Sequence, residues 1–114
     1  MAVIPEELAH KHCVPCEAGT PRIQGQQLME MLEKLPDWQA ANEHHLTRTF
    51  KFPNFTAALE FVNRVGRVAE EENHHPLIHL TWGRVVIDLW THKIGGLSEN
   101  DFILAAKISA VARS

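Results

Sequence analysis

The longest regular pattern in the chain runs from Phe55 to Ala69. Phe55, Ala58, Leu59, Val62, Val65, Gly66 and Ala69 recur at i, i+3, i+4, i+7, while Glu60, Asn63, Arg64, Arg67 and Glu70 fall elsewhere. This spacing predicts a central helix whose apolar stripe is for packing. Asn54 is placed to cap its start, and the helix must stop near Asn73, because Asn tolerates the left-handed conformation and Pro76 forbids continuation. An earlier helix is predicted over Gln24 to Leu35, with Leu28, Leu32 and Leu35 turned inward and Pro36-Asp37 ending it.

Between and after these helices the period changes to two. Trp38 to Ala41 reads as a short strand and Asn42-Glu43 as a tight connection. Leu46 to Phe52 then alternates Leu46, Arg48, Phe50 and Phe52 against Thr47, Thr49 and Lys51, with Arg48 breaking the apolar row. Leu77 to Trp82 is a third strand, and Trp82-Gly83-Arg84-Val85 is a hairpin turn. The return strand, Val85 to His92, puts Val85, Ile87, Leu89 and Thr91 on a core face and Val86, Asp88, Trp90 and His92 on the other. Ser98-Glu99-Asn100-Asp101 has the form of a capping box with Asp in place of Glu. It opens a last helix over Phe102, Ile103, Ala105, Ala106, Ser109 and Ala110, whose small residues suit close packing. The order α-β-β-α-β-β-α predicts an α+β fold: a four-stranded antiparallel sheet with three helices packed on one face.

This accounts for residues 24–114 as one domain, the size expected for a single core. Residues 1–23, interrupted by Pro5, Pro15, Gly19 and Pro21, read as a flexible or loosely docked arm. The net charge of −3 and the absence of a basic run leave no electrostatic footprint for nucleic acid. No apolar segment approaches the ~20 residues that span a bilayer, and Met1 to Glu7 lacks the features of a signal peptide. The expectation is a cytoplasmic protein without membrane or nucleic-acid partners. Cys13 and Cys16 stand in Cys-Val-Pro-Cys spacing near His10 and His12. A zinc site takes about four ligands and a redox pair wants a strand before it and a helix after. The arm offers neither frame, so incidental thiols are expected.

The chemistry concentrates in Glu70-Glu71-Glu72-Asn73-His74-His75-Pro76 and, beyond the hairpin, Thr91-His92. Imidazoles exchange protons near neutrality, with an unperturbed pKa of about 6.5. Two or three of them in different surroundings can act as both acid and base. Where the helix gives way to extended chain before Pro76, adjacent side chains diverge, so His74 and His75 should face different walls. A second pair, His44-His45, lies at a strand start and reads as an exposed hairpin end.

Glu70-x-x-Asn73-His74-His75-Pro76, the spaced Trp82, Val85-x-Ile87-x-Leu89-x-Thr91-His92, Gly96-Leu97-Ser98 and Asp101 together resemble the pterin-4a-carbinolamine dehydratase family, over about Leu28 to Ala112. The resemblance implies dehydration of 4a-hydroxytetrahydropterin to quinonoid dihydropterin, in recycling of the cofactor of aromatic amino acid hydroxylases. It implies a pterin substrate, no metal or redox cofactor, and a homodimer or homotetramer built partly through the last helix and sheet edges. His74 and His92 would be the acid/base pair and His75 would bind and orient substrate. Glu70, Asn73, Pro76, Trp82 and Thr91 would complete the substrate site.

Two other readings compete. His74, His75, His79 and His92 could bind zinc, although the adjacent pair should point apart. The fold could instead serve as a non-enzymatic interaction module, as family members in animals also bind a homeodomain transcription factor. The chain departs from the family pattern in having Trp82 where Tyr is expected, Trp90 where a small polar residue often sits, and the Cys-containing arm.

Overall fold

The computed structural model describes residues 5–15 and 17–113. In chain order it contains α1 (Pro5–Ala9), α2 (Gly25–Glu33), β1 (Gln39–Ala41), β2 (His45–Lys51), α3 (Phe55–Glu72), β3 (Leu77–Thr81), β4 (Arg84–Leu89), a 3-10 turn at His92–Ile94, and α4 (Glu99–Arg113). All strand pairs are antiparallel, in the order β1-β2-β4-β3. The fold is the α+β arrangement read from the pattern, with one helix more than expected. That helix, α1, is too short to show a period; its one core residue is Leu8, which is buried.

β2 and β4 form the middle of the sheet, in register Leu46↔Leu89, Arg48↔Ile87 and Phe50↔Val85. Leu46, Phe50, Val85, Ile87 and Leu89 are buried against the helices. Arg48 keeps its place in that row because its guanidinium reaches the edge. There it donates to Ser109 Oγ at 3.0 Å, sits 3.7 Å from Asp37 and lies over the Phe50 ring. α4 is buried on nearly every face from Asn100 to Ser109, since α3 packs on one side and α1 on another. The last helix is thus covered within the chain.

The inward line of α3 is Ala58, Phe61, Val65 and Ala69. Phe55 and Leu59, expected in the core, are 44% and 38% exposed. The apolar stripe is wider than the sheet can cover, and Phe61 takes the central place, packed on Phe50 and Phe52 with ring centroids 4.7 and 5.1 Å away. Both helix ends follow the sequence. Asn54 Oδ1 accepts from Ala57 N–H at 2.8 Å, and Asn73 adopts φ 51°. The N–H groups of Asn73 and His74 then close on the carbonyls of Glu70 and Ala69, the two bonds of a Schellman ending.

β4 stops at Leu89, short of the expected His92. Thr91 instead bridges to Gly96, with its N–H donating to the Gly96 carbonyl at 2.8 Å, and the intervening residues wind into the 3-10 turn. Gly95 closes that turn at φ 60°, a left-handed conformation that glycine adopts without strain. His92 is therefore carried on a short loop beside the end of α3.

Candidate active site

The end of α3 and the start of α4 meet in a buried network. His74 Nε2 lies 2.6 Å from Asp101 Oδ1, and the Asp101 side chain is 0% exposed. The other oxygen, Oδ2, accepts from the Ser98 N–H and the Thr91 hydroxyl, both at 2.9 Å, and Thr91 and Ser98 share a further bond at 2.7 Å. The Ser98 bond is the backward half of a capping box. Asp101 therefore does two things at once: one oxygen caps α4 and the other fixes the His74 ring and its tautomer.

His75, the next residue, diverges as expected. Its Nε2 is 2.6 Å from Glu70 Oε1, one turn back on α3, and both side chains are exposed. His92, exposed on the 3-10 turn, packs against Trp90, with ring centroids 4.7 Å apart and planes 33° from parallel. All three imidazoles line one cleft of about 320 Å³, along with Asn73, Thr91 and Lys93. That is the size range of small-molecule sites.

The remaining wall comes from the arm. Cys13, Val14 and Pro15 line the cleft, together with Glu72 and Asn100. Cys13 N–H donates to Glu72 Oε1 at 2.7 Å, and His12 Nδ1 lies 2.9 Å from Oε2. Asn100 bonds the backbone of Val14 in both directions, and Lys107 Nζ lies 3.7 Å from Glu72. Burial would raise the Glu72 carboxyl, but the hydrogen bonds from Cys13 and His12 and the Lys107 charge outweigh it. The net effect holds the group below its ordinary value. Burial, reinforced by Glu72 and Asp101, pushes the Cys13 thiol up to about 12. Cys13 is thus a protonated wall residue, not a poised nucleophile. Cys16, the other half of the Cys-x-x-Cys, lies outside the described residues.

The structure thus brings together His74, His75, His92, Asn73 and Thr91, with Glu70 behind His75. Pro76 is not in the lining; it follows His75 and turns the chain into β3. Trp82 is not brought to the cleft. It sits at the β3–β4 turn, 68% exposed, at the opposite end of β4 from Thr91. His79 is separated as well, with Asp88 3.5 Å away. Among the described residues no three His, Cys, Asp or Glu side chains are arranged to hold a metal ion. The sequence marks Asp101 as a cap and a position of the family pattern but not as the partner of His74, and it does not single out Glu72 or Asn100. Asp101 could have been found from the capping box, since a cap uses one carboxylate oxygen and leaves the other free. Glu72 and Asn100 gave no signal, because their partners lie in the distant arm and, for Glu72, also on α4.

Residues 21–111 match the family model described as pterin 4 alpha carbinolamine dehydratase. A protein of Rubrobacter xylanophilus, named provisionally as a pterin-4-alpha-carbinolamine dehydratase, is 55% identical over 102 residues, covering 90% of this chain and 95% of its own. The crystal structure of a transcriptional coactivator/pterin dehydratase from Brucella melitensis is similar with a TM-score of 0.76 and 33% identity, covering 81% of this chain and 99% of that one. A pterin dehydratase-like protein identified as a RuBisCO assembly factor in the alpha-carboxysome is similar with a TM-score of 0.60 and 25% identity, covering 68% of this chain and 92% of that one. With a family match over most of its length and relatives that align nearly end to end, this chain belongs to the pterin-4-alpha-carbinolamine dehydratase family.

Proposed function

We propose that the cleft eliminates water from 4a-hydroxytetrahydropterin, yielding quinonoid dihydropterin for reduction back to the cofactor of an aromatic amino acid hydroxylase. The observation that carries this reading is that His74, His75 and His92 line a single cleft of about 320 Å³. Asp101 accepts a hydrogen bond from His74 Nε2–H, which leaves Nδ1 as the nitrogen with a free lone pair. His74 is then the base that takes the proton from the ring nitrogen. The N–H electron pair forms the new C=N bond, the C–O bond breaks, and the departing hydroxide takes a proton from His92 to leave as water. Asp101 stabilises the resulting His74 imidazolium, as a buried carboxylate does beside any catalytic imidazole. His75, steadied by Glu70, orients the heterocycle from the outer rim. No step in this scheme uses a cofactor.

The test is loss of 4a-hydroxytetrahydropterin measured with purified protein. His74→Ala and His92→Ala should each lower kcat by about 10²–10⁴-fold, the usual contribution of a positioned proton-transfer group. Variants that stay within a few-fold of wild type would remove the assignment.

An interaction role is the second reading. It is favoured by the names of the two solved relatives, a coactivator/dehydratase and an assembly factor, and by exposed Phe55, Leu59 and Leu77. We assign these side chains to contacts between copies in a homodimer or homotetramer, because α4 is already covered within the chain. Sedimentation of wild type beside Phe55→Ser/Leu59→Ser decides this; a wild-type monomer would leave these residues open to another partner.

A further inference from the structure

The three imidazoles of the cleft are not held alike. His74 is gripped by Asp101 and His75 by Glu70, each at 2.6 Å. Among the described residues the hydrogen bonds and ion pairs include none to the ring of His92, which stands exposed on a three-residue turn. A proton-transfer group free to rotate loses the fixed geometry on which its rate advantage depends. What touches the His92 ring is the indole of Trp90, at 4.7 Å and 33°.

Trp90 is itself backed. His44 and His45 both pack on it, with centroids 5.3 and 6.1 Å away, and their Nδ1 atoms are 3.1 Å apart. Neighbouring residues in a strand point to opposite faces, so two adjacent histidines should not converge on one ring. The β1–β2 turn makes the convergence possible. Ala41 pairs with His45 across the strands, yet the His44 N–H closes on the Ala41 carbonyl at 2.9 Å, so His44 is an additional residue at the end of the ladder. Asn42 and Glu43 take φ values of 54° and 53°, a left-handed pair unusual without glycine. The Glu43 carboxylate accepts from Gly25 N–H at 2.8 Å and ties the turn down. A strained turn held this way, delivering two rings to one indole, goes beyond an incidental hairpin end.

We propose that Trp90 is a positioning residue that holds the His92 imidazole toward the cleft, with the His44–His45 turn as its backing. The indole does for His92 what a carboxylate does for each of the other two histidines. Its catalytic consequence rests on the dehydratase reading above; its structural content does not.

The experiment records the imidazole C–H resonances of full-length protein by NMR and dehydration kinetics on the same samples. In wild type the His92 ring protons, identified by their loss in His92→Ala, should lie upfield under the indole. Trp90→Ala should abolish that shift, lower kcat about tenfold and leave KM within about twofold. Trp90→Phe, which keeps an aromatic face, should recover most of kcat. His44→Ala/His45→Ala should lower kcat by a smaller factor, about threefold, and it supplies the kinetic test if Trp90→Ala does not fold. An unshifted His92 in wild type overturns the proposal. So does kcat within twofold of wild type in folded Trp90→Ala or, if that variant does not fold, in the double variant; and so does Phe performing no better than Ala. If wild type turns over no substrate, the dehydratase reading falls, and the ring shift alone decides whether Trp90 holds His92.

Discussion

The wall of the cleft at the α3–α4 junction and the wall at the end of β4 solve the same problem by different means. At the junction, His74 is 12% exposed and bonded to a carboxylate that is itself 0% exposed and bonded twice more. Both Asp101 oxygens are matched and one of them grips the His74 ring, and the arrangement is costly to disturb because removing Asp101 strands the others. At the strand end, His92 is exposed and packs on Trp90, with no hydrogen bond or ion pair to its ring among the described residues. Loss of that contact strands nothing polar. If the proposed reaction holds, the junction couples activity to stability, whereas the strand end separates them.

The largest expected effect is at Asp101. Asp101→Ala leaves the Ser98 N–H, the Thr91 hydroxyl and the His74 ring without their acceptor. Stability should fall by about 3 kcal/mol, read from urea unfolding, together with a loss of about 10²–10⁴-fold in kcat. Asp101→Asn keeps the shape and one acceptor oxygen and should recover part of the stability but little of the rate. If Asp101→Ala lost activity with no loss of stability, the junction would be no different in kind from the strand end.

The second concerns the arm that closes the cleft. With its thiol pushed up to about 12 from 9.0, Cys13 carries far less thiolate at pH 8 than a free cysteine. In a Cys16→Ser background its alkylation by iodoacetamide should be at least roughly a hundredfold slower than that of a small thiol, since the thiolate is the attacking species. Because this pKa is raised on folding, the arm's contribution to stability is complete below pH 9 and is lost as pH climbs toward 12. Fast alkylation near neutrality would mean that the arm does not stay on Glu72 and Asn100.

The third expected effect is smaller and separates the outer rim from both walls. His75 and Glu70 are 56% and 77% exposed. Glu70→Ala should raise KM by a few-fold with little change in kcat and shift stability by less than about 0.5 kcal/mol. A loss of kcat as large as that of His74→Ala would promote His75 from binding group to proton carrier.

The parts legible in the sequence were those fixed by local rules. The Asn54 and Asn73 caps, the alternation of β2 and β4, and the divergence of His74 from His75 each depend on a few neighbouring residues. The parts that were not legible depend on where distant segments meet. Nothing in Leu8 or in Val14 signals a partner on α4, and an α3 stripe of seven positions does not say that only Ala58, Val65 and Ala69 of them are buried, nor that Phe61 beside the stripe takes the central place. The early end of β4 comes from the Thr91–Gly96 bridge, a pairing set by the loop between them. The adjacent His44 and His45 form a hairpin end, as their position predicts; that both rings turn to Trp90 follows from His44 lying in the β1–β2 turn and not in the ladder, which alternation cannot show.

The last expected effect tests whether the arm shares the character of the junction. Glu72 is 6% exposed at its side chain and receives the Cys13 N–H and His12, with Lys107 close by. Its pKa is held below 4.5. A carboxyl lowered on folding contributes stability above its unfolded value, and that contribution disappears as pH falls through the lower folded value. Wild type should therefore lose more stability between pH 6 and pH 3 than Glu72→Gln does, while at pH 7 the substitution should cost about 1.5 kcal/mol, the lower end for a hydrogen bond to a charged acceptor. Equal acid sensitivity in the two proteins would mean that Glu72 is as solvated as Glu70. The arm would then be a surface strap, closer to the strand end than to the junction, and its removal would open the cleft without unsettling His74.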